Sequence, residues 1–147
     1  MPPRAVFWTT LALAAPMPVC ALAMVFGSVT VKLTAYIYLA NYGAVLLAFA
    51  GAAHWGLALA RNNRDWNSYI FAAVMVLVAW LALGLVQPGP RLIALGLGFF
   101  AVFIADRRAV TRGHAPDWDR GTRKLFAIVV LLSLTLALGA VRYASGR

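Results

Sequence analysis

Long apolar runs, broken by short polar stretches, organise this chain from end to end. Five of them approach or reach the length that crosses a bilayer, roughly 20 residues for a hydrocarbon layer of about 30 Å. They cover residues 5–26, 34–60, 69–86, 92–105 and 125–141. The pattern predicts an all-α fold, a polytopic transmembrane bundle of about five helices that forms one integral membrane domain over residues 1–147. The breaks read as tight turns. Asn62-Asn63-Arg64-Asp65 separates the second and third runs, and Gln87-Pro88-Gly89-Pro90 the third and fourth. The fourth run is short, so its ends are expected to lean on Arg91 and Arg107 reaching outward. Only the segment 106–124 is long enough to have a shape of its own.

The first run carries Pro16 and Pro18 in its middle. A proline there removes a backbone donor and bends the helix, a defect that neighbouring helices can accommodate. The expectation is a proline-kinked span. The alternative is a cleaved secretory leader, suggested by Arg4, the apolar core and small residues such as Ala21 and Ala23. Apolar character continuing through Val25-Phe26 favours the span.

Composition agrees with a bilayer as solvent. Hydrophobic residues make up 63% of the 147 and charged residues only 12%, and the mean hydropathy is +0.83. A soluble core of this size could not hide so much apolar surface. The formal charge of +9 would raise nucleic acid as a partner for a soluble protein. Here the basic residues flank apolar runs, which points to anionic lipid headgroups and not to nucleic acid. Cys20 is the single cysteine and reads as buried filler.

The charges also orient the chain. With five spans, Arg4, Arg61, Arg64, Arg107, Arg108, Arg112, Arg120, Arg123 and Lys124 fall on one side, and Lys32, Arg91, Arg142 and Arg147 on the other. The positive-inside rule then places the N-terminus and the 106–124 loop in the cytoplasm of a bacterial inner membrane, with the C-terminus periplasmic. In that loop Arg107, Arg108, Arg112, Trp118, Arg123 and Lys124 are the expected headgroup contacts.

The second run holds the candidate chemistry. Ala40, Ala44, Ala48, Ala52, Gly56 and Ala60 recur every fourth residue. A small-residue face of this kind admits close helix packing, so a large side chain at Ala48 or Ala52 is expected to destabilise the bundle. Within the same apolar stretch sit Asn41 and His54. A ring nitrogen in hydrocarbon needs a partner. Ser133, Thr135, a backbone carbonyl or a ligand are the candidates. His54 therefore reads as a lock between helices, a hydrated side chain near the interface, or a ligand contact. Gly51 leaves room beside the ring. Trp55, Gly56, Asn41 and Trp80 complete the set of packing or ligand-binding candidates.

No metal site and no cofactor are expected, because one histidine and one cysteine do not converge with other donors. His114 is in the polar loop, too far away to be a second haem ligand. The chain has four aspartates and no glutamate. Asp106 reads as closing the fourth helix beside Arg107 and Arg108, which leaves no carboxylate inside the bundle for a proton relay. The sequence contains no HExxH, no GxSxG and no glycine-rich phosphate loop, so no catalytic residues are assigned and no enzyme is expected.

Tyr42-Gly43, Phe49, Gly51 and His54-Trp55-Gly56-Leu57 together resemble the DUF3429 family of transmembrane protein 69-like sequences. Pro116, Trp118 and Arg123 fit the family's pattern ahead of the last helix, whereas Asp119 stands where an aromatic is expected. The resemblance implies a small five-helix membrane protein, and points to His54-Trp55-Gly56 as the place to look. It implies no activity. Few ionisable groups and short connections favour a non-catalytic accessory or assembly subunit, with a membrane protein or a second copy as partner. An intramembrane carrier of a quinone or lipid that uses His54 is the alternative, and a small transporter the third reading.

Overall fold

The computed structural model describes residues 4–62, 66–113 and 120–146, without the side chain of Arg120. Trp118 and His114 lie outside the described residues. The described chain is helical almost throughout: α1 (Arg4–Ala14), α2 (Pro16–Phe26), α3 (Val29–Ala60), α4 (Trp66–Gly84), α5 (Pro88–Thr111) and α6 (Arg120–Ser145). α1 and α2 together make one span, so among the described residues five helical segments are long and apolar enough to cross a membrane. The protein is a multi-spanning membrane protein with an all-α bundle.

The helices outrun the apolar runs. α5 starts four residues before Leu92 and continues past Asp106 to Thr111, and α6 begins at Arg120. The segment expected as a loop over 106–124 is therefore helical at both ends. Hydropathy alone cannot see this, because charged residues continue a helix readily once it leaves the hydrocarbon. α3 has 32 residues, about 48 Å at 1.5 Å per residue, so it tilts or projects from a layer of about 30 Å.

The kink in the first span follows from two missing donors. Pro16 cannot bond the carbonyl of Ala12, nor Pro18 that of Ala14. The helix breaks at Ala15. Between those two carbonyls, Leu13 O accepts a hydrogen bond of 2.8 Å from the Tyr42 hydroxyl of α3. The kink is thus fastened to the longest helix by a side chain.

α2 to α6 form a closed ring in the order α2, α3, α4, α5, α6, with α3 also touching α5 across it. α1 packs mainly on α6, with a smaller contact to α2, so the kink carries it away from α3. The centre is filled by Met17, Leu39, Leu46, Leu47, Leu92, Leu95, Phe99 and Val130. α4 is peripheral. It buries only Ala72, Met75, Ala79 and Ala82, a narrow seam at three- and four-residue spacing. The turn between α2 and α3 needs Gly27, since a Cβ there would stand 2.5 Å from both Ala23 O and Val31. Arg91 does not reach outward. It folds back over the end of α4 and donates to Leu83 O at 3.0 Å and to Leu85 O at 2.5 and 3.0 Å. Orphan carbonyls at a helix C-terminus attract a cation in this way.

The small-residue face packs over only half its length. Ala40 and Ala44 are buried, Ala48 is half-buried, and Ala52, Gly56 and Ala60 are exposed. Four residues turn a helix by about 400°, so a four-residue stripe drifts about 40° per step and about 200° over its length. It begins in the core and ends on the exposed side of the helix. The close approaches lie elsewhere. A Cβ on Gly51 would meet Met75 Cβ at 2.6 Å, and one on Gly98 would meet Leu47 Cδ2 at 2.5 Å.

Two outcomes follow for denaturation in detergent micelles. Gly51→Leu lowers stability by about 1–3 kcal/mol through overpacking against α4, while Ala52→Leu stays within about 0.5 kcal/mol. Tyr42→Phe costs about 1 kcal/mol, the net worth of the bond to Leu13. Equal effects of the two leucine substitutions would contradict this packing.

Candidate functional site

His54 sits on α3, six residues before its end at Ala60. Measured from the middle of the observed helix, it lies about 14 Å toward the end that carries Arg61. Its ring is packed edge-to-face against Phe71 of α4, at 5.2 Å and 81°. The ring nitrogen Nε2 is shut off from the outside and lies 3.2 Å from Oδ1 of Asp106 on α5. That distance fits an ion pair when the imidazole is protonated. The oxygen is off the line of the ring N–H, so the contact is electrostatic and not a directed hydrogen bond.

Asp106 Oδ1 also accepts a 2.6 Å hydrogen bond from Arg123 Nη1 on α6. The three side chains are 10%, 15% and 23% exposed, so all are largely withdrawn from the surface. One carboxylate thus ties α3, α5 and α6 together at the basic end of the bundle. Removing charged groups from water is costly unless they are paired. Arg123 supplies the compensation, and a short charge-assisted bond is the stronger kind.

Neither hydroxyl proposed for His54 reaches it. Ser133 Oγ donates to Val129 O at 2.7 Å and Thr135 Oγ1 to Leu131 O at 2.8 Å, each one turn back on its own helix. The partner missing from the sequence reading is Asp106. Its neighbours Arg107 and Arg108 made it look like a surface residue. A signal was present: Phe99, Val102 and Asp106 follow three- and four-residue spacing, and the first two are buried.

The other candidates do not gather round His54. Trp55 is 46% exposed and stacks edge-on against Tyr69 at 5.3 Å. Trp80 is 69% exposed on the outer side of α4. Gly56 has open space where a side chain would go. Asn41 is exposed on α3, 13 residues and about 20 Å from His54. Arg107, Arg108, Arg112 and Lys124 are exposed, with Arg107 lying over Phe103 at 5.9 Å. Arg123 differs from them because it turns inward. Among the described residues, no three His, Cys, Asp or Glu side chains could hold a metal ion.

Two cavities flank the Asp106–Arg123 pair, each of about 270 Å³. One lies between α5 and α6 at the basic end and is edged by Arg107 and Lys124. The other lies between α1, α3, α5 and α6, and its walls include Phe49, Phe99, Phe103 and Phe126. His54 lines neither. Residues 2–139 match the DUF3429 family, described as proteins of unknown function. The chain belongs to the DUF3429 family. It is also similar to Transmembrane protein 69 of Xenopus tropicalis, at 30% identity over 103 residues. That similarity covers 66% of this chain but only 39% of the frog protein. No solved structure matches it. In this DUF3429 chain, His54-Trp55-Gly56 is divided by the fold. The histidine turns toward the α3–α5–α6 junction, while tryptophan and glycine are exposed.

Arg123→Met leaves the Asp106 carboxylate without its cation and is expected to cost about 1.5–3 kcal/mol. Ser133→Ala removes a bond within one helix and costs less than about 1 kcal/mol. Reversible unfolding in micelles measures both, and equal losses would sink the idea that the carboxylate clasps the helices.

Proposed function

We propose that this protein is a non-catalytic accessory or assembly subunit of a larger complex in a bacterial inner membrane. Its basic end faces the cytoplasm and its C-terminus the periplasm. The observation that carries this reading is Asn41, an amide exposed on the outer face of α3, inside an apolar span. An amide in hydrocarbon is costly until it is hydrogen-bonded. A neighbouring membrane helix supplies that bond, as polar side chains commonly do between spans.

The surroundings of Asn41 suit a helix. Tyr38, Asn41, Val45, Ala52 and Leu59 are all exposed, and their spacing of three, four and seven residues is that of a packing seam. The rest of the chemistry is consistent with a structural part. The hydroxyls of Tyr42, Ser133 and Thr135 and the guanidinium of Arg91 all bond backbone carbonyls.

Intact mass spectrometry from native-lipid particles tests the reading. The wild-type chain is expected with added protein mass at fixed stoichiometry. Asn41→Leu should lose that mass while keeping the bundle's thermal stability, because leucine is at home in lipid. A partner retained by the leucine variant, or a wild-type chain that always flies alone, would overturn the seam.

A further inference from the structure

The cavity between α1, α3, α5 and α6 has a buried polar atom with nothing to bond. Thr122 is 4% exposed, lines the cavity, and its Oγ1 has no hydrogen-bond partner. Ser133 and Thr135 each donate one turn back on the same helix, whereas Thr122, in the first turn of α6, makes no such bond. A buried hydroxyl normally finds a partner. This one both donates and accepts.

The walls say what kind of partner fits. Phe49, Phe99, Phe103 and Phe126 line the space, with Phe99 and Phe126 set edge-to-face at 6.4 Å. Aromatic side chains offer faces and edges to another ring. Phe49 is 58% exposed, so the rim opens toward the bilayer. The kink at Pro16 carries α1 off α3 and leaves that opening. The volume of about 270 Å³ lies just below the usual lower end for small-molecule pockets, about 300 Å³. Charge decides the rest. Asp106 and Arg123 stand in the wall but neutralise each other at 2.6 Å. A phosphate or fatty-acid carboxylate would meet the Asp106 carboxylate beside it and be repelled, whereas a neutral carbonyl or hydroxyl would not.

We infer that this cavity binds the ring of a neutral, membrane-dissolved molecule of the quinone class, with a ring oxygen on the Thr122 hydroxyl and its tail leaving past Phe49 into lipid. The site is separate from the Asn41 seam, and either stands without the other. His54 does not touch the ring. It lies 3.2 Å from Asp106 and does not line the cavity.

The test is equilibrium binding of a radiolabelled decyl-benzoquinone to the purified full chain in lipid nanodiscs. Saturable binding of one ring per chain is expected. Thr122→Val should weaken it about tenfold, within the range for a lost hydrogen bond, with an unchanged or raised melting temperature. Ala53→Leu fills the cavity from α3 and should abolish binding. Ala50→Leu, on the same wall, serves if that variant does not fold. Excess anionic phospholipid should not displace the ring. No saturable binding by the wild-type chain, binding untouched by both kinds of substitution, or displacement by anionic lipid would each overturn the assignment.

Discussion

A carboxylate withdrawn into a bundle that spans a membrane has few ways to exist, and Asp106 illustrates the constraint. It needs a cation within hydrogen-bonding reach, and it needs that cation to be withdrawn with it. Arg123 meets both conditions at 2.6 Å. The pair then fixes the register of α5 against α6, since sliding either helix by one residue would move the charges out of contact. His54, 3.2 Å from the same oxygen, brings α3 to the junction. The basic end of the bundle is organised by one oxygen atom that two other helices approach.

The rest of the bundle is held by different means. Arg91 closes the turn between α4 and α5 by bonding the carbonyls that α4 leaves unmet, and its guanidinium lies 5.7 Å from the centre of the Tyr36 ring. Tyr42 fastens the broken first span. Arg91 answers carbonyls left unmet at the end of α4, and Tyr42 bonds the carbonyl that lies between the two the prolines leave without a donor. The broken span has a second consequence. Because α1 diverges from α3, an aromatic cavity stays open beside the charged pair, with the Thr122 hydroxyl at its inner surface. The defect in the first helix and the open cavity are two aspects of one geometry.

Much of this was legible in the sequence. Apolar run length marked all five spans, and Pro16 and Pro18 marked the kink, because both signals are local. His54 stood out as a polar ring in an apolar run. Its partner did not. Asp106 is 17 residues from Arg123 and on a different helix from His54, and a run of charges reads as a solvated end unless the helix is known to continue beneath it. Thr122 was missed for a related reason, since it lies in a segment whose composition reads as a loop. The small-residue face of α3 misled in the opposite direction. Four-residue spacing looks like one face over two turns but winds half-way round the helix over five, so Ala52 and Gly56 end on the exposed side of α3.

A charge swap tests the central claim most directly. Asp106→Arg and Arg123→Asp would be made singly and together, and the stability of each protein measured by reversible unfolding in micelles. If the pair clasps α5 to α6, each single reversal is severely destabilising and the double reversal recovers most of the loss. A double reversal as unstable as the sum of the two singles would contradict the account.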